Sequence, residues 1–232
     1  MIDIIPAILS QNYEDLKNKI ALVRGIVPVV QIDLCDGIFV PNKTWPFSTG
    51  GGDDINFRAI LNEEEGMPFW EDIDFELDMM VADAVSNFDI YTKLSPKRIV
   101  FHLEAVGDLE EFKHFLEGMD VYIRDAIQIG LAINTITPVE QIFPLINHAD
   151  FVQCMGIEKI GFQGQDFDER VLSQIKTLKE KFPDLVISVD GGVNFVTAPK
   201  LIEAGATRLV AGSLILKSQD IRETISELEN LE

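Results

Sequence analysis

Three aspartates sit in or close short apolar runs of this chain. Asp33 ends Val29-Val-Gln-Ile-Asp33, Asp78 lies within Phe75-Glu-Leu-Asp-Met-Met-Val81, and Asp190 ends Val186-Ile-Ser-Val-Asp190. A carboxylate at the end of an apolar strand is costly unless it is paired, hydrogen-bonded or bound to a cation. One such acid reads as a cap. Three of them converging on one mouth read as a cluster for acid/base work or for metal ligation. Gln31 stands two residues before Asp33, so the two side chains share one face of their strand. His102 ends Arg98-Ile-Val-Phe-His102 and is read as a hydrogen-bonded structural residue near the same mouth.

A second set of residues is made of glycines. Gly191-Gly192 follow Asp190, Gly212-Ser213 follow the run Arg208-Leu-Val-Ala211, and Gly161-Phe-Gln-Gly-Gln165 follows the run that ends at Met155. Such segments expose backbone N–H groups that can cradle a phosphate. Turn chemistry alone explains any one pair. Two pairs in adjacent loops, with a third glycine segment beside them, favour phosphate.

Eight apolar runs must position these groups. They are read as strands at 4–9, 29–33, 75–81, 98–102, 126–133, 151–155, 186–190 and 208–211. Helical patterns fall between them at 13–24, 85–93, 108–117, 139–146, 168–182, 197–204 and 220–231, and Asn12 offers an N-cap to the first. This alternation predicts an α/β fold, a (β/α)₈ barrel (TIM barrel), with a doubly wound open sheet as the alternative that periodicity cannot separate. The whole chain, 1–232, reads as one domain. The stretch 48–70 carries Gly50-Gly-Gly52 and Glu63-Glu-Glu65 and reads as an extended loop with a short helix near 55–61. It is either an active-site lid or a solvated insertion. Trp45 and Trp70 flank it and either anchor it or cover the substrate.

Composition bounds the function. Of 232 residues, 47% are hydrophobic, which supplies a large core and excludes general disorder. Nineteen Lys and Arg face 39 Asp and Glu, a formal charge of −20. So acidic a surface repels phosphate backbones and anionic lipid, and neither nucleic acid nor membrane is expected as a partner. No run of about 18 apolar residues occurs. The segment Met1-Ile-Asp-Ile-Ile-Pro6 has an acid and a proline where a signal peptide carries positive charge. Cys35 and Cys154 are the two cysteines, expected as packed free thiols of a cytoplasmic protein.

Several segments together carry a family resemblance. Pro6-Ala-Ile-Leu-Ser10, Gln31-Ile-Asp-Leu-Cys-Asp-Gly-Ile-Phe-Val-Pro-Asn42, Leu77-Asp-Met-Met-Val81, Phe101-His-Leu-Glu104, Gly130-Leu-Ala-Ile-Asn134, Val189-Asp-Gly-Gly-Val193 and Val210-Ala-Gly-Ser213 occur in family order. The chain resembles the ribulose-phosphate 3-epimerases and related sugar-phosphate epimerases. The resemblance implies a (β/α)₈ barrel that inverts the carbon next to the ketone of a pentulose 5-phosphate. One aspartate removes a proton from one face, a second delivers a proton to the other, and a divalent metal stabilises the enediolate. Carried over by resemblance, Asp33 and Asp190 are the two acid/base residues, and Gln31, Asp33, Asp78 and Asp190 occupy the metal-ligand positions. Gly164, Gly191, Gly192, Gly212 and Ser213 occupy phosphate-binding positions, and Ser10, Met80 and Met155 line the substrate pocket. The implied partners are a small sugar phosphate and further copies of the chain in a homo-oligomer.

The chain departs from the family at the metal. Two histidines of the family site are Gln31 and Asp78 here, the serine usual in the first strand motif is Ala7, Cys35 stands where a methionine is usual, and Gln163 replaces one glycine of the strand-six loop. One reading keeps a divalent cation in an all-oxygen site, which favours Mg²⁺ or Mn²⁺ over Zn²⁺, with Fe²⁺ as the remaining candidate. The other removes the metal and leaves a non-catalytic phosphosugar-binding barrel. A lyase or decarboxylase on the same scaffold is a third, disfavoured because no lysine stands at the strand ends.

Overall fold

The computed structural model describes residues 2–231. Eight parallel strands form a closed barrel in sequence order: β1 Asp3–Ile8, β2 Val29–Cys35, β3 Asp74–Met80, β4 Arg98–His102, β5 Gln128–Ile133, β6 Phe151–Met155, β7 Val186–Asp190 and β8 Arg208–Ala211. Closure is made by β1 against β8, from Asp3 opposite Arg208 to Pro6 opposite Ala211. That pairing decides between barrel and open sheet in favour of the barrel. The outer layer holds α1 Tyr13–Val23, α2 Ile55–Leu61, α3 Phe88–Thr92, α4 Leu109–Glu117, α5 Val121–Ala126, α6 Arg170–Lys181, α7 Ala198–Ala204, α8 Ser213–Leu216 and α9 Ile221–Glu229.

The main core lies between strands and helices, where Ile32, Leu34, Leu77, Met79, Ile99, Phe101, Ile129 and Leu131 meet buried helix faces such as Leu16, Ile20 and Val23 of α1. Asn12 caps α1 as expected, accepting from the Asp15 N–H at 2.9 Å. The alternate residues of each strand point into the barrel, and there the interior is strongly polar. Gln31, Asp33, Glu76, Asp78, His102, Gln153, Ser188, Asp190 and Arg208 are all buried.

One local expectation gives way and two are sharpened. The helix expected at 139–146 is a ten-residue 3₁₀ segment, Val139–His148, with Pro144 inside it. The proline ring lacks an N–H and clashes with the carbonyl four residues back, so α-helical winding is not available there. The strand expected within 126–133 runs from Gln128 to Ile133, because the short helix α5, capped at its N-terminus by Asp120 accepting from Tyr122 N–H at 2.8 Å, extends to Ala126. The segment 48–70 carries the short helix expected near 55–61 and lies away from the cavity, so the lid alternative has no support. It contains α2, the crossover between β2 and β3, whose Phe57 and Ile60 are buried in the core, and none of its residues lines the cavity at the barrel mouth. Trp45 is the anchor: it is fully buried, lies edge-on to Phe57 at 5.7 Å, and donates from Nε1 to Asp54 at 3.1 Å. Trp70 is 60% exposed and covers no site.

Asp54 holds that crossover in place. It caps α2 through the Phe57 N–H at 2.8 Å and also accepts from Thr49 Oγ1 at 2.6 Å. Burial works to raise its pKa, but these hydrogen bonds outweigh it and hold the carboxyl below the usual value. A depressed folded-state pKa contributes stability above the unfolded value and loses it as pH falls through the folded one. Asp54→Ala should therefore cost about 1–2 kcal/mol at pH 7. The gap from wild type should narrow below the ordinary carboxylate range of about 3.9. Urea melts at pH 7 and pH 3 measure both; an unchanged midpoint at pH 7 refutes the assignment.

Candidate active site

The C-terminal ends of the strands place the predicted acids together. Asp33 and Asp78 are register partners on β2 and β3, and Asp190 ends β7. One carboxylate oxygen from each lies within 4.8 Å of the others. Gln31, one inward step below Asp33, fills the space between the aspartates. Its Nε2 donates to Asp33 Oδ1 and to Asp190 Oδ2, both at 2.8 Å. His102 Nε2 meets Asp78 Oδ1 at 2.8 Å, with both side chains fully buried. The hydrogen-bonded role expected for His102 is observed, and its partner is a member of the cluster itself. Sequence spacing holds no signal for that pairing, because strands β3 and β4 bring the two together from 24 residues apart.

The electrostatics follow from burial. Desolvation, then the charges of Asp190 and Asp78, push the Asp33 carboxyl well up, against the Gln31 N–H that favours its ionised form. Desolvation and the Asp78 charge push Asp190 to about 7. Burial disfavours a charged His102, but the Asp78 carboxylate beside it prevails and raises its pKa. Burial likewise pushes up the Cys154 thiol, to about 12, and that of Cys35. Both cysteines are free and buried, as packed thiols should be.

A cavity of about 320 Å³ opens above the cluster. Asp33, Asp190, Met80 and Met155 line it, and so do the predicted phosphate residues Gly164, Gly191, Gly192, Gly212 and Ser213. Gly191 and Gly192 have φ of 93° and 68°, and a Cβ on Gly191 would meet Ile157 at 2.7 Å, so only glycine suits this turn. Ser10 is brought near the site but is not at the cavity wall. It is fully buried and its Oγ has no hydrogen-bond partner. Gln163, Asn194 and Lys217 line the cavity as well. Sequence reasoning names Gln163 only as a member of its glycine segment and does not reach Asn194 or Lys217, because which loop side chains face the cavity depends on closure of the barrel.

The donor set suits a hard divalent cation. Asp78 Oδ2 and Gln31 Oε1 are buried without partners, beside three converging carboxylates. Gln31 as oriented offers N–H groups rather than a lone pair to Asp33 and Asp190, so its entry as a ligand requires a half-turn of the amide.

Residues 3–216 match the model of the ribulose-phosphate 3 epimerase family. The chain belongs to that family. Ribulose-phosphate 3-epimerase of Bacillus subtilis is 32% identical over 234 residues, covering 98% of each chain. The enzyme of that name from Eremothecium gossypii is 29% identical, over 98% of this chain and 91% of its own length. The epimerase-family barrel also resembles solved structures at lower identity. KGPDC from Streptococcus mutans superposes with a TM-score of 0.67 at 13% identity, covering 99% of this chain and 97% of that one. 3-Hexulose-6-phosphate synthase from Salmonella typhimurium gives 0.63 at 14%, covering 98% of each. These two likenesses establish the fold alone. No helix among the described residues is long and apolar enough to cross a membrane.

Proposed function

We propose that the protein is a ketose-phosphate 3-epimerase that interconverts ribulose 5-phosphate and xylulose 5-phosphate. The observation that carries this reading is that two buried carboxyls from different strands, Asp33 and Asp190, share the Gln31 Nε2 donor and both line a glycine-walled cavity. Inversion needs two acid/base groups, one on each face of the reacting carbon. Asp33 and Asp190 come from strands two and seven, and so stand apart round the barrel while both line the cavity. One takes the C3 proton; the other, protonated, delivers a proton to the opposite face. When no cation lies between them, burial and repulsion from neighbouring carboxylates push both carboxyls up, which favours one of the two holding a proton. The backbone of Gly164, Gly191, Gly192, Gly212 and Ser213 holds the phosphate, and Met80 and Met155 keep water from the reacting carbon.

Asp33, Asp78 and Asp190 would hold a divalent cation, with Gln31 joining through Oε1. Such a cation supplies positive charge beside the oxygens where negative charge develops. Oxygen-only donors favour Mg²⁺ or Mn²⁺ over Zn²⁺ or Fe²⁺. His102 fixes the orientation of Asp78. Two buried free cysteines fit a reducing cytoplasm.

A second reading has its own support: Gln31 and His102 already satisfy all three aspartates in part, as a cation-free phosphosugar-binding barrel requires. Incubation with ribulose 5-phosphate in D₂O separates the two. The epimerase takes deuterium into carbon 3 and yields xylulose 5-phosphate, and metal analysis finds about one divalent ion per chain. The double change Gln31→His with Asp78→His should shift metal preference towards Zn²⁺, since imidazole is a softer donor. Absence of exchange with any ketopentose or ketohexose phosphate, under each of the four metals, leaves the binding protein.

A further inference from the structure

We propose that Lys217 and Gln163 are side-chain ligands for the phosphate of the substrate, supplying a positive charge and a donor that glycine loops alone do not. The proposal rests on the epimerase reading only in taking a phosphate ester as the ligand.

The chain carries 39 acids against 19 bases, and Asp33 and Asp190 line the same cavity that must receive a dianion. Backbone N–H groups contribute partial charges only. Lys217 is the one lysine or arginine among the residues that line this cavity, where it stands with Gly212, Ser213 and Leu214. It follows α8 directly and is exposed, so its ammonium is hydrated and open to an anion. It makes no ion pair among the described residues, whereas Arg170, Lys200 and Arg24 all do. An unpaired cation at the rim of an acidic protein's anion cavity both attracts the ligand and offsets the floor carboxylates.

Gln163 reaches the same cavity from the loop after β6, and its Nε2 donates to the Ala7 carbonyl on β1 at 3.1 Å. The amide rests directly on Gly212: a Cβ there would lie 2.1 Å from Nε2. Gln163 thus spans the cavity between two loops that hold phosphate-binding glycines, and requires glycine at 212 to do so. An amide nitrogen carries two hydrogens. One is used on Ala7, and the other has no protein acceptor among the described residues. It is placed beside Gly212 and Ser213, where a phosphoryl oxygen would lie. The strap also ties the β6 loop to β1, so the cradle is formed before the ligand enters.

Calorimetric titration with inorganic phosphate and with ribulose 5-phosphate tests both residues. Lys217→Met keeps the stem and removes the charge; it should weaken both ligands about tenfold and flatten the salt dependence, as loss of one charge-assisted hydrogen bond implies. Lys217→Arg should stay within about threefold of wild type, since a guanidinium also donates to phosphate. Gln163→Glu sets a carboxylate against both the Ala7 carbonyl and the phosphate and should weaken binding by about tenfold or more. Gln163→Gly should cost less, about threefold, and melting curves confirm that each variant is folded. Wild-type affinity in Lys217→Met and Gln163→Glu overturns the assignment while leaving the epimerase reading intact. A wild-type chain that binds neither ligand overturns both.

Discussion

Asp190→Asn should slow epimerisation about a thousandfold while leaving one-sided proton exchange. Asparagine keeps the shape of the aspartate, and its amide can still meet Gln31, whose Nε2 now donates to both Asp33 and Asp190 at 2.8 Å. What it cannot do is accept and return a proton. Loss of a positioned acid/base group costs about 10²–10⁴-fold, so kcat should fall by about three orders of magnitude. The two-carboxyl arrangement adds a sharper signature. With Asp33 alone, deuterium should enter carbon 3 of only the epimer whose proton faces Asp33. In Asp33→Asn the other epimer should exchange instead. NMR of each sugar phosphate in D₂O reads both outcomes. A non-catalytic barrel gives no exchange in wild type either, and equal exchange of both epimers in either variant refutes the assignment of opposite faces. Sugar-phosphate affinity should change little in comparison, because the residues proposed to hold the phosphate, Gly191, Gly192, Gly212 and Ser213 among them, are other parts of the cavity wall.

The second large effect is on stability. Below the site, Glu76 is completely buried and hydrogen-bonded by Arg208 from β8; Arg98 from β4 approaches it at 3.5 Å. The Arg208 guanidinium also stacks over Phe151, 4.2 Å from the ring centre. Strands β3 and β8 are not neighbours in the barrel, so this pair crosses its interior. Removing one member of a buried pair strands a charge and costs about 3–5 kcal/mol. Arg208→Ala should therefore lower Tm by roughly 10 °C in a chain of this size. Replacing both partners with apolar residues of similar volume removes the stranded charge as well, so Glu76→Leu with Arg208→Met should be more stable than Arg208→Ala. Calorimetry of the three proteins decides the point. A double variant no better than the single would mean that the pair contributes little, and that packing against Phe151 matters more.

Much of the site is legible without any fold. Asp33, Asp78 and Asp190 are acids at the ends of apolar runs, and that mismatch is a local signal. The glycines at 191 and 192 are equally local, since their left-handed turn at a strand end needs them, whereas Gly212 is required by the Gln163 amide from a distant loop. By contrast, the partner of Glu76 has no local signal, although alternation puts Glu76 on the same strand face as Asp78. Glu76 is buried because the barrel interior is polar here, and only the position of Arg208 across the barrel explains how that is tolerated.

The sequence by itself determined eight strand–helix units, the acids, and the glycine loops, because each of these depends on neighbours a few residues away. Tertiary structure decided three other matters. It closed the sheet through β1 and β8, whose partners are about 205 residues apart in the chain. It settled where the helix expected near 55–61 packs, with Trp45 against Phe57 in the core and 48–70 away from the cavity. It joined Gln31 to two aspartates and His102 to the third, contacts that exist only where strands from distant parts of the chain converge. Periodicity reports which face of an element is apolar. It cannot report which polar side chains will meet inside a closed barrel, because that depends on register and closure.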